Sequence, residues 1–291
     1  YYGGETASLN LTNLWKKFRP TAEVDKKYGH NRDWNIDLIP KFIMADGKLV
    51  KMLLHTKVTK YLEWQCVNAS YVCQMVAAGY FSAAKMQVCK VPANDMEALK
   101  SNLMGLFEKK RVITLYKFIL AFKADDKSTW NDMDCEVIPM QDVFTKYGVI
   151  AETIDFLGHA VALQYSDTYL FEPAIDTILK MQLYLGSTGR YGDSPFLYPI
   201  YGVGGLPESF SRLCAIHGGT YMLNTDCEEI TFGEDGKVTG IKSGGKAATA
   251  PLVICDPSYA KSDFLKPTGK VIRAICFLDH PLPETNDVPS V

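Results

Sequence analysis

The sequence has no apolar run approaching the length that spans a bilayer, and it shows no signal peptide. It also lacks an excess of either charge, because 31 Lys and Arg residues are set against 33 Asp and Glu residues. The formal net charge of −2 gives no electrostatic reason to expect nucleic acid or an anionic membrane as the main partner. We therefore predict no nucleic-acid partner and no transmembrane segment.

Motifs that mark hydrolases and zinc proteins are absent as well. The sequence contains neither the GxSxG of a nucleophile elbow nor an HExxH zinc motif, and its eight cysteines form no CxxC pair. Several cysteines lie in apolar runs, which is typical of reduced, buried thiols in the cytosol. His159, in DFLGHAVAL, is predicted to be a packed core histidine. We predict no catalytic residue and no metal site.

Hydrophobic patterns divide the chain into two kinds of region. Strand-like runs lie towards both ends, among them DLIPKFIM, the hairpin pattern CEEITFGEDGKVTGIKSG and the apolar runs APLVICDPS and KVIRAICFL, which we predict to be buried strands. Between them, residues 93–192 show helical periodicity. We predict a mixed α/β domain formed by residues 1–92 and 193–291, with an inserted helical domain at 93–192. The terminal sequences predict a chain truncated at both ends.

The segment 195–223, PFLYPIYGVGGLPESFSRLCAIHGGTYML, combines a glycine-rich loop, a short helix and a predicted strand. Pro207 suits a first helical position, because its missing N–H needs no partner there. The helical spacing of Phe210, Leu213, Cys214 and Ile216 predicts a packed face, and the following Gly-Gly predicts the helix end. TYML is predicted to be a strand.

Long sequence strings resemble one protein family. YYGGETAS, RDWNIDLIPKF, KLVKMLLHTKVTKYL, IDFLGHAVAL, RYGDSPFLYPIYGVG and HGGTYMLN are similar to the Rab GDP-dissociation inhibitors and to the related Rab escort proteins. The resemblance covers most of the chain except the region 74–86, where the sequence carries an insertion. It implies a flavoprotein-like α/β fold that has lost its flavin site, so that no cofactor is expected.

The same resemblance implies a function. Proteins of this family bind prenylated, GDP-bound Rab GTPases, slow GDP release, and extract the GTPase from membranes by sheltering its geranylgeranyl lipid. The resemblance therefore implies a regulatory protein rather than an enzyme, cytoplasmic and cycling to membranes peripherally through transient contact. Two alternatives stay open at this point: an escort protein, and an FAD-dependent oxidoreductase of the amine-oxidase type, which shares the double glycine of YYGG.

The resemblance also assigns roles to individual residues of this sequence. The implied Rab-binding platform is Tyr2, Glu208, Arg212, Tyr221 and Met222. The implied mobile loop for membrane retrieval contains Arg190, Tyr191, Ser194 and Phe196. The implied prenyl pocket contains Leu103, Phe107, Phe118, Phe122, Phe144, Ile154, Leu157 and Val161. The implied surface for the C-terminal tail of the GTPase contains Met44, Leu49 and Leu53.

Three positions depart from the family pattern. Gly205 stands where the family usually has a glutamate, His217 replaces a usual tyrosine, and Asp193 replaces a usual lysine. The hypothesis for the first is that Glu208, one helical turn further on, supplies the missing acidic contact. These departures affect the expected partner affinity more than the expected fold.

Overall fold

The structure is a computed structural model that describes residues 4–76, 85–93, 97, 104–260 and 262–285. Tyr2 and Leu103, two of the predicted site residues, lie outside the described residues, as does most of the 74–86 insertion. In these ranges the α-helices are α1 (Leu11–Phe18), α2 (Lys48–Thr56), α3 (Leu106–Ala121), α4 (Met140–Tyr147), α5 (Ala151–Phe156), α6 (Ala174–Ser187) and α7 (Gly205–Ile216). A π-helical turn, Leu157–Val161, continues α5.

The described strands form small antiparallel sheets. They are β1 (Ser8–Leu9), β2 (Ile36–Asp37), β3 (Ile43–Met44), β4 (Trp64–Cys66), β5 (Tyr71–Val76), β6 (Lys85–Lys90), β7 (Phe196–Pro199), β8 (Glu229–Phe232), β9 (Val238–Ser243) and β10 (Lys246–Thr249). Strand β7 lies between β3 and β4, although about 130 residues separate it from β4 along the chain. The sheet β3–β7–β4 therefore joins the two ends of the predicted discontinuous domain.

The apolar core lies between the central helices and this sheet. Leu115, Ile119, Phe144, Ile178 and Met181 are fully buried in one cluster contributed by α3, α4 and α6. The same cluster includes Val67 and Phe196 next to the sheet. The helical periodicity read from the sequence is confirmed for these helices. The predicted domain boundary at 93–192 stays a prediction, because the core continues across it.

Two strand predictions near the C-terminal end are wrong. Within the described ranges, neither APLVICDPS nor KVIRAICFL belongs to a sheet. Their apolar side chains are exposed rather than buried, at 89% for Ile254 and 98% for Ile272. A strand needs a paired strand for its backbone groups, and in the described part of the chain no strand pairs with either run. The hairpin prediction, in contrast, is confirmed by the antiparallel pairing of β8 with β9.

The predicted strand DLIPKFIM is interrupted. Its ends form β2 and β3, while residues 38–42 between them belong to no strand. Pro40 lies in this gap, where its lack of an N–H removes a ladder hydrogen bond. The interruption lets β2 pair with β1 and β3 pair with β7, so that one stretch of sequence serves two sheets.

Candidate functional site

The candidate site lies at helix α7, whose first turn is tied to the strands by a buried carboxylate. Asp37, at the end of β2, accepts hydrogen bonds from the hydroxyls of Ser8 and Tyr198. The Val203 N–H donates to Asp37 Oδ2 at 2.9 Å, and the Gly204 N–H donates to Ser8 Oγ at 3.0 Å. Burial, together with the bond to Asp37, raises the pKa of Tyr198. This network fixes where α7 begins relative to β1, β2 and β7.

Glycine is required where the chain turns into α7. Gly202 has φ +89°, a left-handed conformation that side chains resist, and a Cβ there would collide with Ser8. A Cβ at Gly204 would lie 2.6 Å from the Ser8 backbone nitrogen. The helix begins at Gly205, two residues before the predicted start at Pro207, which therefore still lies within the first turn. Because the first-turn N–H groups of a helix have no partner within the helix, the missing N–H of Pro207 costs no hydrogen bond there.

The packed face of α7 differs from the predicted one. Ser209 and Ser211 are buried, Phe210 and Leu213 are half-buried, and Cys214 and Ile216 are exposed. Apolar spacing alone gave the wrong face, because small hydroxyl residues allow close packing of α7 against the strands. Ser209 Oγ donates a hydrogen bond to the Tyr61 carbonyl at 3.3 Å, which holds the helix against the segment before β4.

A pocket of about 290 Å³ opens between α7 and this segment. The Arg212 guanidinium lies over the Tyr61 ring, 4.7 Å from its centroid, an attractive cation–π arrangement. Tyr201 Oη donates to Glu63 Oε2 at 3.3 Å on another part of the wall. The lining comprises Tyr61, Leu62, Glu63, Pro199, Tyr201, Gly202, Gly205, Glu208, Ser209 and Arg212. Aromatic rings and charges of both signs thus surround a concave surface that suits a protein partner.

Of the predicted platform residues, the pocket brings together Glu208 and Arg212. Tyr221 and Met222 follow α7 and are 50% and 71% exposed, but they are not among the lining residues. The predicted strand TYML is wrong, since residues 220–223 belong to no strand. Sequence reasoning missed Tyr61, Glu63 and Tyr201. The polar and aromatic KYLEW ahead of β4 was the available signal for the first two.

The loop that precedes β7 is anchored at both ends. Arg190 Nη2 lies 3.0 Å from Asp46 Oδ1, and the Asp46 N–H donates to Ser187 Oγ at 3.0 Å. At the other end Ser194 and Phe196 are buried, whereas Tyr191 is exposed. A Cβ on Gly192 would lie 2.6 Å from Cys66 Sγ, so the loop backbone packs directly on β4.

The predicted lipid-binding residues lie mainly in the helical core. Phe118, Phe122, Phe144, Leu157 and Val161 are buried in one cluster, with Ile154 packed against it. Phe118 stacks on Tyr147 and Phe122 stacks on Trp130, each with ring centroids 5.5 Å apart. Phe107 is 85% exposed. Their role as a prenyl pocket stays a prediction.

The residues predicted to receive the C-terminal tail lie around the N-terminal end of α2. Met44 is half-buried against the helical core, and Leu49 is half-buried against Ile43 and Val50. Leu53 is 1% exposed and lies on the inner face of α2. The two half-buried side chains are accessible to a partner, and the role of all three stays a prediction.

Comparison with known proteins identifies the family. The family model described as GDP dissociation inhibitor matches residues 1–291. The chain is 48% identical over 292 residues to guanosine nucleotide diphosphate dissociation inhibitor 1 of Arabidopsis thaliana, covering 100% of this chain and 63% of that protein. It is 44% identical over 291 residues to the probable secretory pathway GDP dissociation inhibitor 1 of Schizosaccharomyces pombe, covering 100% and 64%.

A solved structure agrees with these relatives. The crystal structure of Rab GDI from Plasmodium falciparum superposes with a TM-score of 0.87 at 49% sequence identity, covering 99% of this chain and 65% of that one. The chain thus spans slightly less than two thirds of the relatives it matches. Among the described residues, no helix combines the length and apolarity needed to cross a membrane. With its sequence matched from end to end and its predicted flavoprotein-like α/β fold confirmed, the chain belongs to the GDP dissociation inhibitor family.

Proposed function

We propose that the protein to which this chain belongs is a Rab GDP-dissociation inhibitor. It binds prenylated Rab GTPases in the GDP form, slows nucleotide release, and withdraws the GTPase from membranes. It acts as a regulatory binding protein and not as an enzyme, and it needs no cofactor. It resides in the cytoplasm and contacts membranes transiently.

The observation that carries this proposal is the pocket beside α7. The Arg212 guanidinium lies over the Tyr61 ring, with Glu208 and Glu63 in the same lining. Arginine and tyrosine are enriched at the centres of protein interfaces, since they offer large contact areas together with hydrogen-bond donors. We assign this surface, together with Tyr2, Tyr221 and Met222 as the family resemblance implies, to recognition of the folded GTPase.

The other assigned surfaces bind the lipid and the C-terminal tail of the GTPase and take part in membrane retrieval. A geranylgeranyl chain in water costs about 0.8 kcal/mol per exposed CH₂, so a protein that buries two of them competes with a bilayer. We assign that role to the helical core around Phe118 and Phe144. The loop Arg190–Phe196 is assigned to membrane retrieval, and the accessible side chains Met44 and Leu49, with Leu53 beneath them, to the C-terminal tail of the GTPase.

Release of the fluorescent nucleotide mant-GDP from a geranylgeranylated Rab tests the proposal. We expect the full-length protein to slow release from the prenylated GTPase and to leave release from the unprenylated GTPase nearly unchanged. Arg212→Ala should weaken the effect about tenfold, because the interface loses a positioned cation. Arg32→Ala is the matched control, since Arg32 is exposed and lies outside the pocket.

Two results would contradict the proposal. One is an unchanged release rate at saturating protein, with no complex formed on gel filtration. The other is yellow flavin that stays bound through purification, which would point to the oxidoreductase class instead. Equal effects of Arg212→Ala and Arg32→Ala would refute only the placement of the interface at this pocket.

A further inference from the structure

A histidine and two aspartates converge on the surface of the helical region, away from the pocket beside α7. His159 Nε2 lies 3.1 Å from Asp167 Oδ1 and 3.5 Å from Asp155 Oδ1. One potential ligand atom from each of the three residues lies within 4.8 Å of the other two. Asp155 and His159 are four residues apart in one helical segment, whereas Asp167 joins them through a chain turn that no sequence pattern indicates.

The backbone fixes which nitrogen of His159 faces the carboxylates. His159 Nδ1 lies 2.7 Å from the Gln164 carbonyl oxygen. A carbonyl can only accept a hydrogen bond, so Nδ1 carries the proton. Without an ion, Nε2 donates a hydrogen bond to Asp167 Oδ1 at 3.1 Å, and a bound ion would take the place of that proton between Nε2 and the two carboxylates. Metal-binding histidines in proteins are commonly oriented by this kind of bond from the second nitrogen.

The elements beneath the cluster hold it in place. His159 lies in the π-helical turn Leu157–Val161, and Asp167 begins the 3₁₀ turn Asp167–Phe171. Tyr169, from that same turn, is buried and packs edge-on against the His159 ring at 6.3 Å between centroids. Its hydroxyl donates to the Ile154 carbonyl at 3.2 Å. The prediction of a packed core histidine is wrong as to burial, because the His159 side chain remains 37% exposed, although both ring nitrogens have hydrogen-bond partners.

We propose that Asp155, His159 and Asp167 bind one divalent transition-metal ion of the Zn²⁺ class, a site separate from the proposed GTPase-binding function. Zn²⁺ bonds of about 2.0–2.1 Å to nitrogen and oxygen place neighbouring ligand atoms of a tetrahedron about 3.3 Å apart. The distances of 3.1 and 3.5 Å from Nε2 bracket this value. Water supplies the fourth ligand, because both carboxylates face solvent.

The bound ion joins two segments of chain. It links the end of α5 and the π-helical turn to the 3₁₀ turn at 167, and so fixes the connection that leads into α6. Because two of the ligands are solvent-exposed carboxylates, the ion exchanges readily with solution. The site is therefore a reversible surface site and not a requirement for folding.

Titration of the full-length protein with Co²⁺, followed by displacement with Zn²⁺, tests the proposal. We expect one Co²⁺ to bind without the intense near-ultraviolet charge-transfer absorption that thiolate ligands produce, since the site offers only nitrogen and oxygen. His159→Gln and Asp167→Asn should each weaken Co²⁺ binding at least about tenfold. His55→Gln, at an exposed histidine on α2, is the matched control and should leave the affinity unchanged.

The proposal is overturned if His159→Gln binds Co²⁺ within about twofold of the unsubstituted protein, or if the bound ion shows thiolate absorption. Should His159→Gln fail to fold, Asp155→Asn and Asp167→Asn decide the matter, because both side chains are exposed and their loss leaves the packing intact. Unchanged affinity in both would likewise refute the site. The GTPase assay is independent of all these outcomes.

Discussion

Asp37 shows how one residue can determine the geometry of a site it does not line. Its carboxylate accepts bonds from Ser8, Tyr198 and the Val203 N–H, and it thereby sets the start of α7. No sequence pattern indicates this role, because the aspartate in NIDLIP is indistinguishable from an ordinary surface acid. Only the fold brings its three donors, which lie far apart along the chain, to one buried point.

Asp37→Ala should lower the free energy of unfolding by about 2–4 kcal/mol, because one buried and two half-buried donors lose their acceptor at once. Urea unfolding measures the change. Asp235→Ala is the control, as Asp235 also accepts a backbone bond, from Lys237 at 3.1 Å, but does so in an exposed turn. Equal losses in the two variants would show that the buried network does not set the stability of this region.

Glu208 is the residue by which the Gly205 hypothesis can be tested. Gly205 borders the pocket, where a Cβ would lie 3.3 Å from a Leu62 methyl carbon, and Glu208 lines the same pocket. Charge reversal in Glu208→Lys should weaken binding of prenylated, GDP-bound Rab at least about tenfold, through like-charge repulsion. Glu23→Lys, at an exposed residue outside the pocket, controls for net charge. An unchanged affinity in Glu208→Lys would sink the hypothesis.

The burial of Tyr184 can be tested by the pH dependence of the free energy of unfolding. Burial raises the pKa of Tyr184 to about 12, against about 10 for tyrosine in the unfolded chain. The unfolded state therefore loses its proton first, so stability is unaffected below pH about 10 and falls by about 1.4 kcal/mol per pH unit above it. Tyr184→Phe should show a correspondingly smaller alkaline loss in urea unfolding. Tyr165→Phe, at a fully exposed tyrosine, should behave like the unsubstituted protein.

At the scale of elements, the helices were more predictable than the strands. Apolar residues at helical spacing are buried by a helix almost wherever it packs, and α3, α4 and α6 were recognised on that basis. An isolated strand is not defined by its own sequence, since its hydrogen bonds belong to a neighbour. The runs around Ile254 and Ile272 have the composition of strands, but no described strand pairs with them, and these two side chains are exposed.

A side chain of α3 binds the backbone at the start of helix α5. Glu108, on α3, is 5% exposed; it accepts from the Ile150 N–H at 2.9 Å and from Arg111 at 3.0 Å. Glu108→Ala should cost about 2–3 kcal/mol of unfolding free energy, because it leaves both donors without their partner. Glu136→Ala removes an ion pair of the same 3.0 Å length, to Lys127, from an exposed site. It should cost less than about 1 kcal/mol.

For the whole molecule, the family and the fold class were recoverable from the sequence, whereas the arrangement of the site was not. Long strings such as RYGDSPFLYPIYGVG identify a family without any knowledge of contacts. The contact of Arg212 with the Tyr61 ring depends on where α7 and the 3₁₀ turn Val58–Tyr61 lie after folding, more than 140 residues apart along the chain. Periodicity carries no information about such a distance.

The close packing of the loop at Gly192 on Cys66 has a consequence for kinetics. The Gly192 backbone lies so close to Cys66 that an added Cβ would be 2.6 Å from the sulfur, so the loop covers part of this partly exposed thiol and slows the approach of a bulky thiol reagent. Cys66 becomes more accessible when the Arg190–Asp46 ion pair opens and the loop lifts from β4. The rate of Cys66 labelling should therefore report how often the loop opens, and it can be measured without any bound GTPase.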